Sequence, residues 1–510
     1  MTDTPIRKDT LDKDLDKLAH VEEASIFVAR SLIAPGLALL FLALIAIFAS
    51  IYMFDEPRVV IIVVAAAIGG YMALNIGAND VANNVGPAVG AKALTMGGAL
   101  LIAAVFESAG ALIAGGDVVD TISSGIVSPA TIADPEVFIR LMLAALISSA
   151  LWVHLATWIG APVSTTHAVV GGVGGAGIAA AGVSAVNWSS MATIASSWVI
   201  SPILGGVIAA LFLAFIKSAV IYQDDKIAAA RRWIPLLIAV MASSFAAYLS
   251  IKGLKRIIDL DTLHVWMVGI ITFAIIWLVS NYYVRRQSEG LENRNQSLRL
   301  LFRIPLIISA ALLSFAHGAN DVANAVGPLA AIVHAVQTND ADAVVQIPIW
   351  VMVIGAVGIS LGLMLFGPKL IRMVGEQITR LNPMRAFCVA LSAALTVIVA
   401  SWFGLPVSST HIAVGAIFGV GFFREWYTTR SKRRKSYMER KAARWRAERG
   451  ALPEKQPVDE EEQTMSGEEI VRRKLVRRAH VTTIVAAWVT TVPASAGLAA
   501  LIFYAIGLMS

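Results

Sequence analysis

Long apolar runs broken by short polar stretches set the pattern of this chain. About thirteen such runs predict helices, near residues 31–53, 59–79, 98–116, 137–160, 163–182, 191–217, 233–251, 264–284, 301–318, 347–367, 384–404, 407–423 and 480–508. Most approach the roughly 20 residues that a helix needs to cross a bilayer core. The pattern therefore predicts an all-α polytopic membrane protein with about 12–13 transmembrane helices. The first 30 residues are polar and mixed in charge, and the apolar run behind them is too long for the core of a signal peptide, so no cleaved leader is expected.

Polar residues interrupt this pattern at recurring places. "GANDVANNVGPAVGA" begins at Gly77 and "GANDVANAVGPLAA" at Gly318, a separation of 241 positions. "GAPVSTTHAVVG" from Gly160 returns as "GLPVSSTHIAVG" from Gly404, 244 positions on. A weaker pair, "WVISP" from Trp198 and "WVTTVP" from Trp488, is 290 apart, the excess matching a hydrophilic insertion. The same motif order twice means duplication, a common plan among secondary transporters. The expected division is a cytoplasmic extension over 1–30 and a first membrane half over 31–217. Connecting spans and loops follow over 218–300, then a second half over 301–423, a basic cytoplasmic insertion over 424–480 and a last helix over 481–508.

Charge adds an orientation. With Arg7, Lys8, Lys13, Lys17 and Arg30 in the cytoplasm, the basic loops 226–232, 285–299 and 369–385 and the insertion also fall inside. The acidic loop carrying Asp117, Asp120, Asp134 and Glu136 falls outside, and only "KGLKRIID" from Lys252 runs against the rule. Seven spans then separate the two "GAND" motifs. That number is odd, so the halves are inverted and both copies of each motif point at one midplane site. The expected location is the plasma membrane, multi-pass, with a cytoplasmic N-terminus.

Composition narrows the class. The 510 residues are 57% hydrophobic and 15% charged, with a mean hydropathy of +0.72, too apolar for a soluble protein of this size. The net charge of +6 owes much to the insertion and does not argue for nucleic acid. The single cysteine, Cys388, permits no intrachain disulfide. No HExxH, no GxSxG at a strand–helix elbow and no P-loop is present, so an enzyme is not expected. "GVGGAG" from Gly172 fits a dinucleotide fingerprint only formally; within a membrane span it reads as close helix packing.

The chemistry lies in the repeated motifs. An ionised aspartate at the bilayer centre costs about 2.5–3.5 kcal/mol, so Asp80 and Asp321 must face the protein interior and meet a cation. Asn83 and Asn324 follow three residues later on the same helical face. These hard oxygen donors suit Na⁺ better than a transition metal. Gly86–Pro87 and Gly327–Pro328 are expected to break each helix, which reads as a discontinuous hairpin lining a cavity. The second pair of motifs sets a proline near a helix start, followed by Ser164, Thr165 and Thr166 or by Ser408, Ser409 and Thr410. Hydroxyls and free N–H groups at a helix N-terminus make an anion site. Lys92 is the nearest base, but Val333 stands at its repeat equivalent. His167, His411 and His317 read first as packed, hydrogen-bonded histidines.

At these residues the sequence resembles the PiT family of inorganic phosphate transporters, over roughly 59–508. The resemblance implies inverted repeats and phosphate import with Na⁺ or H⁺. It implies cation-site roles for Asp80, Asn83, Asp321 and Asn324, with Na⁺ at the two aspartates. It implies phosphate contacts for Ser164, Thr165, Thr166, Ser408, Ser409 and Thr410. Glu107, in "VFESAG", matches a position where an acid matters for transport; with Asn79, Asn320, His167 and His411 it forms a set of coupling or gating candidates. The function expected is alternating-access symport of inorganic phosphate with a monovalent cation; transport of a related oxyanion such as sulfate and an anion channel are the alternatives. No cofactor is expected beyond the co-transported ion. The expected partners are phosphate, the cation and membrane lipid, a homodimer being compatible and nucleic acid not.

Overall fold

A computed structural model describes residues 32–127, 131–132, 134–161, 163–253, 261–339, 345, 347–377, 381–449 and 478–509. The extension 1–30, Pro162 of the second motif and residues 450–477 of the insertion lie outside the described residues. The helices in chain order are α1 (Leu32–Tyr52), α2 (Val59–Gly90), α3 (Met96–Ala114), α4 (Gly116–Asp120), α5 (Pro135–Ile159) and α6 (Thr165–Ala181). Then come α7 (Trp188–Ile216), α8 (Lys226–Lys252), α9 (Thr262–Gln287), α10 (Asn295–Leu301), α11 (Arg303–Asp321) and α12 (Ala323–Thr338). The chain finishes with α13 (Ile349–Gln377), α14 (Pro383–Trp402), α15 (Ser409–Arg430), α16 (Lys432–Arg449) and α17 (Arg478–Met509).

Among the described residues there is no strand, only one isolated bridge between Val127 and Val186. Eleven helical segments among the described residues are long and apolar enough to cross a membrane. Their outer faces carry bare hydrophobic side chains such as Leu39, Leu211, Ile270 and Leu278. Apolar surface on this scale needs lipid against it, and the chain is a multi-pass membrane protein.

The broken hairpins are present, but at a different motif from the one expected. α2 runs unbroken for 32 residues through Gly86 and Pro87. In the second copy only Val322, itself in right-handed helical geometry, separates α11 from α12. The prolines leave the helices standing because each merely forgoes its own N–H bond. Pro87 and Pro328 lie four residues after Asn83 and Asn324, so they free the carbonyls of those asparagines inside the protein. The helix ends lie instead at the second motif. α5 stops at Gly160, in left-handed geometry with φ 77°, and α6 starts at Thr165. α14 and α15 repeat this around Gly404, with φ 65°. α6 has only 17 residues, about 25 Å at 1.5 Å each.

The two halves interlock. α2 packs on α13 and α11 on α3; likewise α6 packs on α17 and α15 on α7. Glycine makes this closeness attainable. A Cβ on Gly77 would fall within the envelope of the Ile359 carbonyl, and one on Gly318 within that of Glu107. Gly171, just before the "GVGGAG" stretch, and Gly175 within it face Val492 and Ala496, as Gly415 and Gly419 face Pro202 and Gly206. The glycine-rich stretch thus serves close packing, and the 290-residue repeat of the third motif appears in the same contacts. Ser108 and Ser360, equivalent by this symmetry, meet each other at 2.6 Å.

Candidate functional site

The sequence builds the site by starting two helices at its centre. Ser164 and Ser408 are the N-caps of α6 and α15; their hydroxyl oxygens accept from the backbone N–H of His167 at 3.1 Å and His411 at 3.3 Å. Capping leaves the first-turn N–H groups of both helices unbonded within the helix. The tips are tied to the long helices by the residue before each aspartate. Asn79 donates to Thr157 Oγ1 at 3.0 Å and to the Ala161 carbonyl at 3.4 Å. Asn320 donates to Ser401 Oγ at 2.9 Å and to the Leu405 carbonyl at 3.1 Å.

The aspartates come together. Ligand atoms of Asp80, His317 and Asp321 all lie within 4.8 Å of one another, and all three residues are buried. Asp80 accepts from Thr165 Oγ1 at 3.1 Å and, across the repeat, from Thr410 Oγ1 at 3.0 Å. Asp321 accepts from Ser409 Oγ at 2.9 Å. Asn83 donates to Thr410 Oγ1 at 2.8 Å, and Asn324 to Thr166 Oγ1 at 3.2 Å and Thr165 Oγ1 at 3.3 Å. Each aspartate motif therefore meets the hydroxyl motif of both halves. The one departure is Thr166, whose hydroxyl also donates to the Val407 carbonyl at 2.9 Å. His167 and His411 stack edge to face at 4.5 Å, His167 also lying against Trp198.

His317 does more than the packing its sequence context suggests. Its Nε2 lies 2.8 Å from Asp321 Oδ2 and 3.7 Å from Asp80 Oδ2, while Nδ1 lies 3.2 Å from Glu107 Oε2. These are close approaches in which neither ring nitrogen meets hydrogen-bond geometry. Glu107 also accepts from Asn84 Nδ2 at 2.8 Å. This cluster breaks the symmetry. The glycine contacts equate Glu107 with Ile359, and the repeat spacing equates His317 with Ile76, so a polar pair on one side answers an apolar pair on the other. The available signal was spacing: His317 stands four residues before Asp321, on the same helical face.

The site holds an excess of acceptors. Asp321 Oδ1, Asn324 Oδ1, Asn84 Oδ1 and Glu107 Oε2 are buried without a hydrogen-bond partner. Buried oxygens of this kind are rare and call for an ion or a donor. Three buried acids face one histidine, and no Lys or Arg shares their contacts among the described residues; Lys92 is exposed beyond α2. Carboxylate and amide oxygens without donors suit a small hard cation, and helix starts with hydroxyls suit an oxyanion.

A family model described as the phosphate transporter family matches residues 76–499. The chain belongs to this family. Its members are transporters, not enzymes. A Helicobacter pylori relative described as a candidate phosphate permease is 46% identical, over 97% of this chain and 99% of its own. A Pyrococcus horikoshii relative described in the same terms is 38% identical, over 71% of this chain and 89% of its own. A solved structure of a protein named the sodium-dependent phosphate transporter is similar with a TM-score of 0.75 and 33% identity, covering 88% of this chain and all of the other.

Proposed function

We propose that this transporter imports inorganic phosphate by symport with monovalent cations through an alternating-access cycle. The observation that carries this reading is the cross-repeat contact: hydroxyls at the starts of α6 and α15 donate to the paired aspartates, beside buried oxygens that lack donors. Cations held by Asp80, Asn83, Asp321 and Asn324 neutralise the acids. Thr165, Ser409 and Thr410 can then turn their hydroxyls from carboxylate to phosphate, and Thr166 its own from the Val407 carbonyl, while Ser164 and Ser408 keep the helix starts in shape. Asn79 and Asn320 carry the motion of each tip to the neighbouring aspartate, and His167 and His411 meet between the tips.

Charge supports coupling. Importing a dianion against 100 mV costs about 4.6 kcal/mol, at about 2.3 kcal/mol per charge. Two cations cancel that cost and a third makes uptake electrogenic. The oxygen donor set favours Na⁺, in keeping with the sodium dependence named for the similar solved structure. The positive-inside pattern supports a plasma-membrane orientation with the N-terminus in the cytoplasm. Lys252, from the one loop that opposes that pattern, is neutralised by its ion pair with Asp117.

Radiolabelled phosphate uptake into proteoliposomes, with Na⁺ and pH gradients imposed separately, tests the proposal. Uptake is expected to follow the Na⁺ gradient and to resist excess sulfate. Uptake indifferent to both gradients would indicate a channel, and equal competition by sulfate would reassign the cargo.

A further inference from the structure

A cavity of about 680 Å³ lies between α1, α2, α5 and α13. Its wall includes Leu74, Ala78, His154, Trp158, Phe366 and Lys369. The inverted repeat supplies a mate for each. The spacings of 241 and 244 equate Leu74, Ala78, His154 and Trp158 with Phe315, Ala319, Ile398 and Trp402. Glycine contacts fix the register of α13 on α3: Gly110 abuts Phe315 as Gly362 abuts Leu74, and Gly115 meets Val322 and Met352 as Gly367 meets Val81 and Leu100. In that register Phe366 answers Ala114 and Lys369 answers Asp117.

The mate of the cavity is full. α8 packs Phe245, Tyr248 and Leu249 against Ala114, Phe315, Ala319 and Ile398. Phe245 and Tyr248 meet the Phe315 ring edge to face at 4.9 and 6.4 Å. One turn on, Lys252 lies 5.5 Å over Trp402 and pairs with Asp117. On the cavity side the outer wall is α1, which offers Pro35, Ala38, Leu39 and Leu42 and inserts no aromatic. Where the filled side has the acid Asp117, the open side has Lys369, exposed and without an acidic partner among the described residues.

We propose that this cavity binds an anionic membrane lipid. An acyl chain takes the volume that Phe245, Tyr248 and Leu249 fill in the mate, lying along Leu74 and Trp158. The acidic headgroup meets Lys369, the reverse of the charge pair that Lys252 makes with Asp117. The lipid would bear on Thr157, which also lines the cavity and accepts from Asn79, the residue before Asp80. Binding is independent of the transport reading and is tested by itself.

Native mass spectrometry of the purified full-length protein, offered phosphatidylglycerol or phosphatidylcholine in matched micelles, measures lipid retention. The unaltered protein should retain phosphatidylglycerol preferentially. Lys369→Gln should lower that retention roughly fivefold, the weight of one partly exposed ion pair, and Lys369→Arg should restore it. Ala38→Phe, on a partly exposed face of α1, should reduce retention of both lipids by filling the space. Equal retention of the two lipids by the unaltered protein, or unchanged phosphatidylglycerol in both Lys369→Gln and Ala38→Phe, would overturn the assignment. So would a rise in retention on deleting residues 1–30, which would give the cavity to the chain's own N-terminal extension.

Discussion

At the scale of single residues, the two aspartates are related by symmetry and yet differently supported. Both oxygens of Asp80 accept a hydroxyl, whereas Asp321 accepts one, leans on His317 and leaves Oδ1 bare. Replacing either by Asn keeps its volume and removes the charge that recruits a cation. Asp80→Asn and Asp321→Asn should therefore abolish gradient-driven phosphate uptake while the protein still elutes as a monodisperse species; near-normal uptake in both would refute the cation-site role. Thr410 joins the first aspartate motif to the second hydroxyl motif twice, accepting from Asn83 while donating to Asp80. A hydrogen bond to a charged group is worth about 1.5–3 kcal/mol. Thr410→Val should lower the uptake rate tenfold or more at fixed Na⁺, and Thr410→Ser should recover most of it. Equal loss in the two variants would point to packing and not to the hydroxyl.

At the scale of helices, close approach decides what the sequence could reveal. The apolar runs, the duplicated motifs and their convergence on one buried place were legible because membrane length, repetition and intramembrane charge each leave a mark in one dimension; that the hydroxyls donate to the aspartates themselves was not. The hairpin tips were displaced: a Gly-Pro inside an apolar run looks like a break, but a helix buried by neighbours tolerates one missing N–H, and α2 continues to Gly90. The link from His317 to Glu107 could not be read, since it depends on α3 packing against α11, and no spacing within one helix records that. The glycines show how tight this packing is. Gly318→Ala would drive a methyl group into the Glu107 carbonyl. Overpacking of this kind costs about 1–3 kcal/mol and would push α3, with Glu107, away from His317. The expected result is a lower melting temperature in detergent together with lost uptake. Gly86→Ala, farther along α2 than Gly77 and at a point where a Cβ meets nothing within 4 Å, should leave the melting temperature nearly unchanged. Equal stability of the two variants would mean that α3 and α11 are not held this closely.

At the scale of the whole molecule, the repeats form one body because each completes the other. α2 finds its main partner in α13, α11 in α3, α6 in α17 and α7 in α15. The site follows the same rule, since Asp80 takes one hydroxyl from its own half and one from the other. A half expressed alone would leave a buried aspartate short of a donor and two glycine-lined helix faces without a partner, and in lipid no water can satisfy the exposed groups. The turn after α9 offers a place to cut: Gly290 is exposed, with φ 71° and open space around it. Residues 1–290 and 291–510, co-expressed as separate chains, should therefore assemble and take up phosphate on a Na⁺ gradient. Either piece alone should fail to purify as a monodisperse species and should show no uptake. A first half that folded by itself would contradict the exchange of helix partners. Co-expressed pieces that each inserted but never associated would show that the covalent link between the halves, and not their packing, holds the two aspartates together.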